Sequence, residues 1–246
     1  MTDGETTATR VRDVPLGRFH WPAEEGTWPG LVLIHDVWGP SEHSRELAAA
    51  FAAEGFGVLE IDLYRELDAS GLRDPGEWIR SLSDPRVLAD LDRGADWLAT
   101  TTECRGRRVG VVGVCMGGTY ALLAACSSDR FAAAAPFYGI LSYDAGMLAG
   151  PTGRDRERKP RSPIEAAGGL RVPLLASFGV EDAFVPQADV DALTRSLAQS
   201  GQPFEIDRYE GAGHAFLNRT RPGAYCEEAA SRAWSRVVPF LRRSLA

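Results

Sequence analysis

The sequence carries four cysteines and four histidines, and one of each is set where it can do chemistry. Cys115 lies in Gly113-Val114-Cys115-Met116-Gly117-Gly118, a G-x-C-x-G-G pattern. The apolar run Arg108 to Val114 precedes it, and the small-residue run Gly117 to Cys126 follows. A sharp strand-to-helix turn needs glycines around its apex, because neighbouring side chains would collide there. The apex side chain then stands above the strand end. The helix that starts beneath it favours negative charge nearby. A helix N-terminus and a neighbouring imidazole both promote the thiolate, so a cysteine at the apex is a nucleophile. The alternative is a small buried core residue, as free cysteines often are. Cys104 sits in a polar turn, Cys126 inside a helix and Cys226 at a helix start. These three read as structural or incidental.

A nucleophile of this kind needs a base, and the base needs an acid to orient it. His214 is the one histidine downstream of Cys115, on the glycine-rich turn Glu210 to Phe216 that follows the run ending at Tyr209. The acid belongs after an intermediate strand, and Asp182 stands just past Leu174 to Gly179. Glu181 competes for that role, and Asp182 has the alternative of capping a turn. The chain order nucleophile, acid, histidine is that of the α/β-hydrolases. His35 and Asp36 precede the nucleophile, which counts against them as base and acid, though His35 is placed to line the site. His20 falls in an extended N-terminal region and His43 at a helix start. A tetrahedral oxyanion needs two backbone N–H donors. Met116, next after the nucleophile, supplies one. Val37, in the turn His35-Asp36-Val37-Trp38-Gly39, supplies the other. Trp38 of that turn, and Tyr138 at the end of the run Phe131 to Tyr138, are further candidates for the substrate site.

The elements that must hold these groups are legible as periodicity. Val11 to Trp21 reads as an edge hairpin. Buried strands are predicted at Leu31 to His35, Phe56 to Asp62, Arg108 to Val114, Phe131 to Tyr138 and Val172 to Gly179, with another strand at Phe204 to Tyr209. Helices are predicted after Ser41 or Ser44, where Leu47, Ala48, Phe51 and Ala52 share a face, and at Val87 to Ala99, Gly117 to Cys126, Gln187 to Gln199 and Glu227 to Leu245. Tyr64 to Asp84, with Gly71 and Pro75, reads as a long loop holding a short helix. Ala145 to Gly169 contains GPTGRDRERKPRSP and reads as an irregular surface loop or a lid. Short strands alternating with helices predict an α/β fold: a mostly parallel central sheet with helices on both faces, in one domain over residues 1–246.

Composition narrows the function classes. The chain has 246 residues, 44% apolar and 25% charged, enough for a core without disulfides or structural metal. A net charge of −7 argues against a nucleic-acid partner. No run approaches the ~20 apolar residues that span a bilayer, and the polar opening MTDGETTATRVRD lacks a signal-peptide stretch, so the expected address is the cytoplasm. The cysteines form no CxxC pair, and a zinc site is poorly supported. No cofactor is expected. A monomer or small homo-oligomer fits.

Four segments, LVLIHDVWG from Leu31, GVCMGG from Gly113, FGVEDAFVP from Phe178 and GAGHAFLN from Gly211, together resemble the dienelactone hydrolase family of the α/β-hydrolase fold. The resemblance spans nearly the whole chain. It implies that Cys115, Asp182 and His214 form a triad and that the amides of Val37 and Met116 form the oxyanion hole. A family glutamate that helps control the thiol is matched by Asp36, one methylene shorter. Family arginines that hold a substrate carboxylate are matched by Arg65, one residue early in Asp62-Leu63-Tyr64-Arg65, and by Arg219 beside Asn218. Solvated surface charge is the other reading of both. The expected activity is hydrolysis of a small ester or lactone, carboxylate-bearing in the family's manner, through a thioester. A general carboxylesterase or thioesterase is the alternative within the enzyme class. A non-catalytic small-molecule binding protein is the alternative outside it.

Overall fold

The computed structural model describes residues 8–67, 74–151 and 153–246. The first seven residues, the middle of the expected 64–84 loop with Gly71, and position 152 lie outside the described residues. The N-terminal hairpin pairs β1 (Thr9–Val14) with β2 (Gly17–Pro22), antiparallel. The next five strands are β3 (Gly30–Ile34), β4 (Gly57–Ile61), β5 (Val109–Val114), β6 (Ala133–Phe137) and β7 (Leu174–Gly179), every residue of each buried. Burial on both faces is why these segments read as apolar runs rather than alternating ones. The last strand, β8 (Phe204–Tyr209), is a half-buried edge. The eight strands form one sheet in the order β1-β2-β4-β3-β5-β6-β7-β8, parallel from β4 to β8.

The two sheet faces bury different helices, and side-chain alternation sorts them. Leu31 and Leu33 of β3 pack with Leu47 and Phe51 of α1 (Glu42–Ala53) and with Val237 and Leu241 of α7 (Glu227–Leu245). Val32 and Ile34 turn the other way. They join a core that includes Leu91 and Leu98 of α3 (Asp84–Thr100), Tyr120 and Ala124 of α4 (Met116–Ser127) and Leu193 of α6 (Gln187–Leu197). Ser41 caps α1 in a box with Ser44, so both expected serines take part.

The loop after β4 contains α2 (Pro75–Ser81), started by the Asp74 side chain on the Glu77 N–H. The stretch 145–169 is less irregular than its composition predicts. It holds the helical turn α5 (Pro163–Ala166) and two 3-10 turns. Buried charge fastens it: Lys159 Nζ lies 2.7 Å from Asp84 Oδ1 at the start of α3 and donates to Tyr120 OH at 2.6 Å. The Arg154 guanidinium spans Asp144 and Glu165.

Candidate active site

Cys115 is the hinge between β5 and α4, with φ 54° and ψ −118°. That conformation strains any residue with a Cβ. The surrounding glycines make it reachable. A Cβ on Gly113 would fall 2.0 Å from the Gly117 carbonyl oxygen, and one on Gly117 would fall 2.2 Å from the Ile34 oxygen. The elbow is therefore wedged against the end of β3. Tyr138 (φ 38°) and Ala215 (φ 62°) are the other non-glycine residues with left-handed φ among those described. All three line one cavity of about 170 Å3, together with Asp36, Val37, Trp38, Phe184, His214 and Arg221. Strain held at one place is a mark of a functional site.

His214 reaches this cavity from the turn after β8, and Asp182 from the turn after β7. His214 Nδ1 lies 2.8 Å from Asp182 Oδ2. The other carboxylate oxygen accepts from the N–H groups of Phe184 (2.8 Å) and Val185 (3.2 Å). The capping role and the partnership with histidine thus coexist in one side chain. The imidazole is packed edge-on between the rings of Tyr138 and Phe184. Burial works against its charged form, yet the hydrogen bond to Asp182 and the influence of the Cys115 sulfur prevail, and its pKa is pushed up to about 10. Glu181 takes no part in this contact; its N–H donates to the Ala212 carbonyl.

The turn after β3 carries Asp36, whose Oδ1 accepts from the Trp38 N–H at 2.8 Å. Burial raises its pKa, with the Trp38 N–H, His35 and Arg221 opposing. Its carboxylate is committed to the turn. Met116 opens α4, and the first N–H groups of a helix lack intrahelical acceptors. Trp38 and Phe184 stay about half exposed at the rim, 58% and 51%. His35 does not line the cavity as expected; it is wholly buried behind the turn.

Both expected arginines are elsewhere. Arg65 donates to Asp90 Oδ2 of α3 at 2.9 Å and to the Asp62 carbonyl, and does not line the cavity. Arg219 lies against the Tyr225 ring, in a separate hollow of about 790 Å3 between α1 and α7 that holds neither Cys115 nor His214. The arginine in the Cys115 cavity is Arg221, two residues on, at the end of a turn closed by its N–H on the Asn218 carbonyl. Spacing alone offered no means of choosing between them. Pro75 and Ile79 of α2 and the buried His43 also line the cavity, and nothing local in the sequence marked them. None of the described residues of 145–169 lines it, so this stretch is not a cover in this structure. Among the described residues, no group of three or more His, Cys, Asp or Glu side chains is arranged to hold a metal ion. No helix there is long and apolar enough to cross a membrane.

Comparison with known proteins gives the same direction. A Bradyrhizobium protein named a probable 2-oxo-3-(5-oxofuran-2-ylidene)propanoate lactonase is 30% identical over 224 residues, covering 90% of this chain and 86% of that one. A Rhodococcus opacus carboxymethylenebutenolidase is 30% identical over 238 residues, covering 94% and 87%. The crystal structure of a candidate dienelactone hydrolase from Klebsiella pneumoniae superposes with a TM-score of 0.84 at 27% identity, covering 96% of this chain and 99% of that one. The model of the dienelactone hydrolase family matches residues 17–245, and the chain belongs to that family of lactone and ester hydrolases on the α/β-hydrolase fold.

Proposed function

We propose that the chain hydrolyses small activated lactones or esters through a thioester on Cys115, with His214 and Asp182 as base and orienting acid. The observation that carries this reading is the Asp182–His214 hydrogen bond at one small cavity that His214 and Cys115 both line. Cys115 passes its thiol proton to His214 Nε2, its Sγ adds to the substrate carbonyl carbon, and the carbonyl π electrons move to oxygen. The N–H groups of Val37 and Met116 receive that oxyanion. Collapse breaks the ring C–O bond, and His214 Nε2 gives its proton to the leaving oxygen. Water, losing a proton to His214, then adds to the thioester and expels the sulfur. Asp182 holds the imidazole tautomer throughout.

Substrate class follows from the sulfur and the cavity. A thiolate leaves a tetrahedral intermediate easily, so substrates with poor leaving groups revert. Enol lactones expel a stabilised enolate and go forward. The cavity is below the ~300–1,000 Å3 of drug-sized sites, which favours a small ring. By their names, the Bradyrhizobium and Rhodococcus relatives act on five-membered lactones bearing a carboxylate. Arg221 is the cation placed to meet such a carboxylate here.

The test is a panel of enol lactones, p-nitrophenyl esters and acyl thioesters against the wild type and Cys115→Ala. We expect enol lactones to be preferred, Cys115→Ala to lose ~10³-fold or more in kcat, and acid-quenched wild type to carry the acyl group on Cys115. Wild-type turnover by Cys115→Ala overturns the mechanism. A preference for acyl thioesters makes the chain a thioesterase, and turnover of none of these with no acyl adduct makes it a binding protein.

A further inference from the structure

The turn that carries Val37 is held by the His35 ring and by Tyr64. Leu63 N–H donates to His35 Nε2 at 3.2 Å. A backbone N–H can only donate, so Nε2 is the bare nitrogen and the ring proton sits on Nδ1. That proton is given to the Asp36 carbonyl oxygen, 2.6 Å away. The same oxygen accepts from the Gly39 N–H at 3.3 Å, and the Trp38 N–H is taken by Asp36 Oδ1. Tyr64 OH donates to the Val37 carbonyl at 3.0 Å, and lies 3.2 Å from the sulfur of Met116. Among the described residues, the Val37 N–H meets no acceptor, and neither does the Asp36 N–H before it.

We propose that His35 is a positioning residue that sets the oxyanion hole in advance by gripping the Asp36 carbonyl. In a planar trans peptide the C=O and the following N–H point in opposite directions. Fixing the Asp36 carbonyl on the buried imidazole therefore aims the Val37 N–H the other way, at the cavity that Val37 lines. Tyr64 fixes the next carbonyl, which holds the following peptide as well. The imidazole is itself clamped. It is wholly buried, and its ring lies 5.0 Å from that of Tyr64. Burial also pushes its pKa down, so the neutral form with one fixed tautomer is the one present. Gly117 of the elbow packs on the Ile34 and His35 carbonyls, so the two proposed donors, Val37 and Met116, are braced against the same strand end. This inference rests on the thioester reading above.

The test separates carbonyl attack from plain sulfur reactivity in His35→Leu, His35→Asn and Tyr64→Phe. Acylation by a p-nitrophenyl ester makes an oxyanion. Alkylation by iodoacetamide, an attack at saturated carbon, makes none. In asparagine the side-chain NH2 stands where Nδ1 stood and can grip the Asp36 carbonyl. We expect His35→Leu to acylate ~10²-fold more slowly, the scale of losing one oxyanion donor, with KM changed less than kcat. His35→Asn should recover most of that loss. Tyr64→Phe, which leaves the imidazole in place, should show the same kcat-weighted pattern, ~10-fold in size. Alkylation of Cys115 should stay within a few-fold of wild type throughout. Wild-type acylation in His35→Leu overturns the proposal, as does a parallel fall in acylation and alkylation, which would mark general collapse of the site. Should His35→Leu not fold, Tyr64→Phe decides: acylation and alkylation both at wild-type rates overturn the proposal. Failure of the thioester reading looks different, because Cys115→Ala would then keep turnover.

Discussion

At the scale of single residues, Arg221 is the group we propose to select carboxylate-bearing substrates. It is the arginine in the cavity, and it sits in the field of Asp36, so its charge is already partly answered. A substrate carboxylate must compete with that neighbour to gain a charge-assisted hydrogen bond. Such bonds are worth ~1.5–3 kcal/mol, or about 10–100-fold in affinity. Arg221→Ala should therefore raise KM for a carboxylate-bearing lactone by ~10–100-fold while leaving a neutral p-nitrophenyl ester within a few-fold. Steady-state kinetics on both substrates check this, and an equal effect on both would mean that Arg221 only shapes the cavity. The sequence marked Cys115, Asp182 and His214 as candidates because each stands just past a strand end, and the structure brings the Asp182–His214 pair to the cavity that Cys115 lines. It could not identify Arg221 or His43, because their place depends on how a turn and a helix start fold back over the sheet.

At the scale of elements, strand and helix spans were legible wherever burial imposed one period on the sequence. α7 runs over Glu227–Leu245 as its spacing predicts, and β8 over Phe204–Tyr209. The stretch 145–169 was illegible because its order comes from ion pairs with distant residues. Lys159 and Asp84 are 75 positions apart and both nearly fully buried. Removing one member of a buried pair leaves an uncompensated charge, at a cost of ~3–5 kcal/mol. Asp84 is the first residue of α3, where the helix dipole favours its negative charge, which points to the lower end of that range. Lys159→Met should lower stability by ~3 kcal/mol in urea titration, and Lys159→Met with Asp84→Leu should regain part of it. Since this stretch does not line the cavity, KM should hold in the single variant below its unfolding transition. A large rise in KM would show instead that it governs access.

At the scale of the whole molecule, the parallel sheet gathers the ends of β3, β5, β7 and β8 at one edge, and this brings positions 36, 115, 182 and 214 together. Alternating strands and helices were enough to foresee that convergence, since the carboxyl ends of parallel strands share an edge. The electrostatic consequence was not foreseeable, because it depends on distances. His214 has a folded pKa raised to about 10 from an ordinary 6.5, through Asp182 and the sulfur and against the effect of burial. A group whose proton is held more tightly in the folded state stabilises that state wherever it is protonated. The contribution is therefore present in full below pH 6.5 and is lost as pH rises through about 10. The net charge of −7 adds a background repulsion that also varies with pH, but it is nearly the same in a variant that lacks only this imidazole. Urea midpoints of the wild type and His214→Gln, compared between pH 5 and 10, should thus differ most at the acid end and converge at the alkaline end. A gap that is flat with pH, or that widens above pH 8, would mean that the folded protein does not hold this proton and that the Asp182–His214–Cys115 contacts are electrostatically idle.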